Sequence, residues 1–296
     1  MLYYPVIRWL AGNKEKSETE HFYQVREDLE EGEKYTEDAG PAQKLKRDME
    51  SYNAAIYASG QQELKDAWSY EQPVFDMEDY GIGTPVAGSL KIESMEVEMP
   101  VYLGATEENM AKGAVVLGQT SMPTGGENTN CVIAAHRGYG SVPMFRDIEK
   151  IQTGDLVVLE TLWGTLEYEV REIRVILPDD IDAIRIQEGR ELLTLITCHP
   201  YRYNSHRYVV YCARSGSEST KVPEGEQTVP EIQGGIEGEE GEQLVMLLED
   251  MLPLMAVPLI ILAVILLVKP PKNSKKSNKR KDRKKTNRRK KGRRER

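Results

Sequence analysis

The sequence predicts a mainly β domain, a barrel or sandwich of about eight strands, with a helix ahead of it and a membrane span behind it. Three observations carry this. From Gly88 to Arg214 short apolar runs of strand period follow one another with little helix between them, whereas a doubly wound α/β fold needs a helix after most strands. Ahead of these runs Leu45, Met49, Tyr52 and Ile56 recur at spacings of four, three and four, the period of an amphipathic helix. Behind them Met251 to Val268 is 18 residues without a charge, at the lower end of what spans a bilayer core of about 30 Å.

Taken in order, LYYPVIRWLAG at the start is apolar but short, and Pro5 and Arg8 interrupt it. It lacks the positive start, continuous apolar core and cleavage site of a secretory signal and reads as a remnant of one at most. Residues 13–40 are rich in Glu and Lys, which predicts a solvated, fraying segment, so 1–40 reads as a polar N-terminal region. Pro41 suits the first turn of the helix, which ends near Gly60. From there to Gly88 the text is irregular, and Asp66-Ala67-Trp68 is its one distinctive triplet; alone, Trp68 reads as a plug packing a loop onto the domain. Residues 41–87 are therefore a helix plus a covering segment.

The strands follow over 88–215: SLKI, MEVEMPVYL, AVVL, NCVIAAH, DLVVLETL, TLEYEVREIRVIL and the two runs of ELLTLITCHPYRYNSHRYVVYCAR. In the second run Met95, Val97, Met99 and Val101 alternate against Glu96, Glu98 and Pro100. Trp163-Gly164 stands between two runs as a hairpin turn would.

Residues 216–243 turn to Gly, Glu, Ser, Pro and Gln, an acidic linker, and 244–268 is apolar. Residues 269–296 hold 17 Lys/Arg and 2 Asp/Glu, a net of +15, against a net of −24 for the 268 residues before them. A basic tail by itself suggests nucleic acid. Behind an apolar span it fixes topology and meets anionic headgroups, because positive flanks stay in the cytoplasm. The expectation is a single-pass protein of the cell membrane, its acidic domain outside and its tail inside, with no nucleic-acid partner. Three cysteines, an odd number, do not make a disulfide framework.

The chemistry gathers between Glu191 and Arg214. One apolar run closes on Cys198 and, after a polar loop, another opens on Arg207. Paired as a hairpin, they bring thiol and guanidinium over one rim, where a fixed cation favours the thiolate. A thiolate nucleophile works with a histidine. Of the four, His21 lies in the polar N-terminal region, His199 neighbours Cys198 and so points to the other face, and His206 stands in that relation to Arg207. His136 ends CVIAA as Cys198 ends LLTLIT, and adjacent parallel strands would bring both ends to one rim. Cys131 and Cys212 belong to the far end of their strands and read as buried free thiols.

TLITC at 194–198, the arginine nine residues beyond the cysteine after PYRYNSH, and the upstream CVIAAHRG resemble the sortases, cysteine transpeptidases of the Gram-positive cell surface, over roughly residues 88–214. The TCxPYxxNxHR wording and the C-terminal span with a basic tail are most similar to class C, the pilin-polymerising sortases. The resemblance implies an eight-stranded β-barrel with an N-terminal helix and lid segment and a C-terminal transmembrane helix. It implies Cys198 as nucleophile, His136 as general acid/base and Arg207 as stabiliser of the oxyanion, with no metal and no organic cofactor. The implied reaction cleaves an LPxTG-like sorting signal between Thr and Gly through a thioester and passes the acyl group to a lysine amine of a pilin subunit.

Class C members often carry a lid with an Asp-Pro-aromatic triplet, which Asp66-Ala67-Trp68 resembles with alanine for proline. That implies Asp66 pairing with Arg207 or a protonated His136, and the Trp68 ring lying on the imidazole. His199, Arg202 and Asn204 are the substrate-loop candidates; His199 and Arg202 enlarge and charge a loop where class C sequences often have smaller residues. Class C members commonly have a hydrophobic segment at each end, and here the second is the clear one. Two other readings stay open: a housekeeping-type sortase anchoring surface proteins to peptidoglycan, or a hydrolase, and a membrane-anchored binding protein whose barrel has lost catalysis. An intact Cys, His and Arg set counts against the last.

Overall fold

Eight strands close into a barrel: β1 (Val86–Ile92), β2 (Val97–Leu103), β3 (Ala114–Val116), β4 (Thr129–Ala134), β5 (Leu156–Thr161), β6 (Gly164–Ile176), β7 (Glu191–His199) and β8 (His206–Arg214), in the order β1-β2-β3-β4-β7-β8-β6-β5. This computed structural model describes residues 3–33, 40–62, 64–70, 72–139 and 142–216. The acidic linker expected at 216–243, apart from its first residue, and the apolar span and basic tail after it lie outside the described residues. Among the described residues no helix is long and apolar enough to cross a membrane.

Where a short turn joins neighbours, the pairing is antiparallel: β5 and β6 meet with Thr161 opposite Gly164, the hairpin expected at Trp163-Gly164. Two pairs, β2 with β3 and β4 with β7, are parallel and need crossovers. A helix the sequence reading did not assign, α3 (Glu107–Lys112), supplies the first; its cap, Thr106, accepts from the Asn109 N–H at 3.1 Å. The second runs through β5 and β6 before β7 returns beside β4.

β4 is buried throughout and β7 at every residue after Glu191, which is why both read as continuous apolar runs. Their outer side is covered by the segment around a 3-10 turn at Ile181–Ile184. There the Asn130 amide donates to the Ile184 and Arg185 carbonyls at 3.0 and 3.2 Å, and the Tyr211 hydroxyl donates to Ala183 at 2.8 Å. β2 starts two residues later than its alternating pattern suggested. Glu93–Met95 form a 3-10 turn and Glu96 takes a φ of 54°, so Met95 packs inward from the turn and not from the strand.

The N-terminal region corrects the expectation of a solvated segment. Tyr3–Glu33 is one helix, α1, lying along β1 and β2. Phe22 is fully buried and Val25 and Leu29 are packed against the core. Three apolar residues among so many charges give a weak periodic signal, and the helix is held equally by polar links. Arg26 Nη1 lies 2.7 Å from Glu160 Oε2, the Tyr23 hydroxyl donates to Glu98 at 3.2 Å, and His21 Nε2 donates to the Gly83 carbonyl at 3.1 Å. Free in water such a segment would have little reason to stay helical; tertiary contact supplies it.

The helix α2 (Pro41–Ser59) is as expected, opened by Pro41 and closed by Gly60 at φ 72°, with Leu45, Met49 and Ile56 buried. Asn53, on the same face, bonds both ways to the backbone: its amide donates to the Met122 carbonyl at 3.1 Å and its oxygen accepts from the Met122 N–H at 2.7 Å. Gln61 extends the anchor, donating to the Gln119 carbonyl at 2.9 Å and accepting from the Ile186 N–H at 2.7 Å. The segment carrying Asp66 and Trp68 starts from this fixed point. It ends at a second, where a Cβ added to Gly104 would come within 2.5 Å of the Pro73 backbone.

Cys131 and Cys212 flank Leu193 from either side in the register and are free and buried. Two strand spacings, roughly 10 Å, separate them, beyond the reach of a disulfide.

Candidate active site

The β7–β8 ladder pairs Cys198 directly with Arg207. Directly opposed residues of an antiparallel pair point to the same face, so the register alone brings thiol and guanidinium together. β4 runs parallel to β7 with Ala134 opposite Ile196, and the chain leaves the strand there, carrying His136 toward the rim where Cys198 lies one residue before the end of β7. Parallel adjacency of these two strands was the condition set by the sequence, and the structure meets it.

Arg207 and His136 are both engaged by the covering segment, whose 3-10 turn spans Ala67–Ser69 with Asp66 as its first flank. Asp66 accepts from Arg207 Nε and Nη2 at 3.0 and 2.9 Å, a bidentate pair. The rest of the guanidinium is held by the carbonyls of Asn204 and His206, at 3.2 and 3.0 Å from Nη1. Trp68 Nε1 donates to His136 Nδ1 at 3.4 Å, which places the proton of the neutral ring on Nε2.

One expected contact is exchanged for another. The Trp68 ring does not lie on the imidazole; the centroids are 6.3 Å apart at 57°. The indole face instead carries the Arg207 guanidinium, 4.6 Å from its centroid, since a cation is drawn to the ring's negative face more strongly than a neutral imidazole is. The imidazole is stacked by Tyr139, at 4.9 Å and 17°, a residue that no motif singles out.

The electrostatics also depart from expectation. Burial pushes the Cys198 thiol up, to about 11, against the pull of Arg207 and Arg137, and Asp66 adds to the rise. A cation beside the thiol was expected to favour the thiolate, but burial outweighs its pull and the Asp66 carboxylate opposes it. Burial likewise lowers the pKa of His136, so the neutral imidazole is favoured. As covered, the site holds a thiol and a neutral imidazole.

The substrate-loop candidates separate. Asn204 and Arg202 lie exposed on the β7–β8 connection at φ 57° and 69°, and the Arg202 guanidinium sits 5.6 Å over the Tyr201 ring. His199 is the last residue of β7 and is buried against Arg137 and Glu149. His206 stands opposite it in the ladder, with its Nδ1 2.9 Å from the Ser205 hydroxyl, and His21 is on α1. Neither Arg137, although part of the AHRG wording, nor Glu149 was selected from sequence. Among the described residues no group of His, Cys, Asp and Glu is arranged to hold a metal ion.

A barrel with cysteine, arginine and histidine at one rim defines a class of acyl-transfer enzyme, and comparison with known proteins supplies the family. The Sortase domain model matches residues 90–215. Sortase C of Streptococcus pneumoniae is 31% identical, with 64% of this chain and 96% of that one covered at a TM-score of 0.55. Sortase C1 of Streptococcus agalactiae is 29% identical, with 67% and 96% covered and a TM-score of 0.59. Sortase A of Bacillus anthracis is 28% identical over 169 residues, 56% of this chain and 78% of that protein. The chain belongs to the sortase family of cysteine transpeptidases. Within that family the solved structures it resembles are pilus-related class C enzymes.

Proposed function

We propose that this chain is a class C sortase that cleaves an LPxTG-like signal between Thr and Gly and joins the acyl fragment to a lysine amine of a pilin subunit. The observation that supports it is the opposition of Cys198 and Arg207 on adjacent strands, with Asp66 held on that same arginine. Cys198 Sγ attacks the threonine carbonyl, and Arg207 stabilises the oxygen as it gains charge. The proton lost by the Cys198 thiol passes to His136, which delivers it to the departing glycine amine. The C–N bond breaks as the C–S bond forms. The lysine amine then attacks the thioester, losing its proton to His136, and the thiol is restored. The energy of the cleaved peptide bond is retained in the thioester, so no step calls for a metal or organic cofactor.

In this reading Asp66 and Trp68 form a lid that closes the resting enzyme, occupying the guanidinium and the Nδ1 lone pair of the base. Opening frees Arg207 for the oxyanion and removes the charge that opposes the thiolate. The barrel stands outside the membrane, held by the span at 244–268 with the basic tail in the cytoplasm.

The test is mass spectrometry of the full chain with an LPxTG-type peptide. A hydroxylamine-labile adduct of the LPxT fragment is expected on Cys198. It is lost in Cys198→Ala and nearly lost in His136→Ala. An adduct surviving Cys198→Ala, or none even in the lid variant Asp66→Asn, overturns the reading. Supplying a pilin lysine or a cell-wall stem peptide as acceptor separates the pilin enzyme from a housekeeping one.

A further inference from the structure

β4 and β7 run parallel at a constant offset of 62 positions, from Thr129 opposite Glu191 to Ala134 opposite Ile196. There the regular ladder ends, and one more backbone bond follows, from the Ala135 N–H to the Ile196 carbonyl at 3.3 Å. Carried on at the same offset, Ala135 faces Thr197, His136 faces Cys198 and Arg137 faces His199. The reacting pair therefore sits where the sheet no longer fixes the separation of its two strands.

Side chains bridge the rungs on both sides of it. Before the pair, the Thr197 hydroxyl donates to the Ala135 carbonyl at 2.7 Å. After it, Arg137 Nη1 donates to His199 Nδ1 at 2.7 Å, and both residues are buried, at 4% and 7% exposure. Glu149, on the 3-10 turn Ile148–Lys150 seated by the fully buried Ile148, completes the second bridge. Its Oε1 lies 2.5 Å from Arg137 Nη2 and 3.4 Å from His199 Nδ1. Burial alone would raise the Glu149 carboxyl. The adjoining His199 ring and the charge of Arg137 outweigh it and hold the group below the usual range. A guanidinium only donates, so His199 Nδ1 keeps its lone pair. Neighbours on a strand face opposite ways, which leaves this bridge behind the site and not in the path of substrate.

We infer that Arg137, Glu149 and His199 are positioning residues, a clamp that replaces the missing ladder and holds His136 at its working distance from Cys198. The inference rests on the transpeptidase reading of that pair. Near-attack geometry is sensitive, with a displacement of about 1 Å costing on the order of a hundredfold in rate.

Three versions of the full chain separate the possibilities: wild type, His199→Phe, which keeps a ring but no acceptor, and His199→Asn, whose amide oxygen takes the place of Nδ1. Thioester formation is followed over a range of LPxTG-type peptide concentrations, and alkylation of Cys198 by iodoacetamide over a range of pH. His199→Phe is expected to lower the maximal rate about 10- to 100-fold with half-saturation little changed, and His199→Asn to recover most of it. The alkylation midpoint should move in His199→Phe and return in His199→Asn. Equal rates in the two variants, or a loss confined to the melting temperature, would overturn the clamp. A raised half-saturation at unchanged maximal rate would make His199 a substrate contact instead and equally overturn it. If wild type itself forms no thioester, the substrate reading fails, and the alkylation profile still decides whether the clamp sets the pair.

Discussion

Asp66→Asn removes one charge and almost no volume, so it isolates the ion pair that closes the site. Asp66 binds Arg207 through two bonds of 3.0 and 2.9 Å, the side chains being 27% and 9% exposed. Hydrogen bonds to charged groups contribute about 1.5–3 kcal/mol net, and the partial exposure of Asp66 favours the lower end, about 1.5–2 kcal/mol. The Trp68 ring under Arg207 and its N–H on His136 remain, so the lid is weakened and not deleted. At about 1.4 kcal/mol per tenfold, the uncovered population rises about 10- to 30-fold. The lost carboxylate also ceases to push the Cys198 thiol up, which acts in the same direction. Alkylation of Cys198 by iodoacetamide at fixed pH near 7.5 should therefore accelerate at least about tenfold. Peptide mass spectrometry distinguishes it from Cys131 and Cys212, which are buried and serve as internal references. A rate within twofold of wild type would refute the reasoning. So would an acceleration shared by all three cysteines, which would report general loosening.

In the wild type the raised thiol pKa predicts that Cys198 alkylation keeps climbing with pH toward about 11, without the plateau near 8.5 of a free cysteine; that profile measures the cost of burial. Ala67→Pro, which restricts the backbone beside Asp66, should slow the same alkylation at constant pH, and a faster rate would show that proline is incompatible with the closed turn. Burial on α1 raises the Glu15 carboxyl to about 7. A carboxyl with a raised folded pKa contributes stability below its unfolded value and loses it as pH rises through the folded one, so Glu15 weakens the fold between about 4.5 and 7. Glu15→Gln should raise the melting temperature at pH 8 by a few degrees, for about 1 kcal/mol after solvent screening, and change it little at pH 4; equal effects at both would contradict this. For topology, protease added to intact protoplasts should digest the barrel and spare an epitope placed after Arg296, and the reverse pattern would place the chain the other way round.

The sequence by itself determined what depends on period and on chemistry confined to short stretches. Alternation and apolar runs located eight strands because inward side chains must be apolar wherever a sheet is buried. Pro41 and Gly60 delimited α2 through their own backbone restrictions. Cys198, Arg207 and His136 were legible because each terminates or opens an apolar run, and strand direction then predicts which rim they share. Tertiary structure decided whatever depends on partners distant in the chain. α1 is helical because Phe22, Arg26 and Tyr23 meet the barrel, which no window over its charged residues reveals. The state of the thiol was decided there too, since desolvation and the Asp66 charge, arriving from 132 positions away, outweigh the adjacent arginine that the sequence emphasised. Glu149 reaches His199 across 50 positions for the same reason: buried charges must find partners, and only the closed barrel fixes which ones lie within reach.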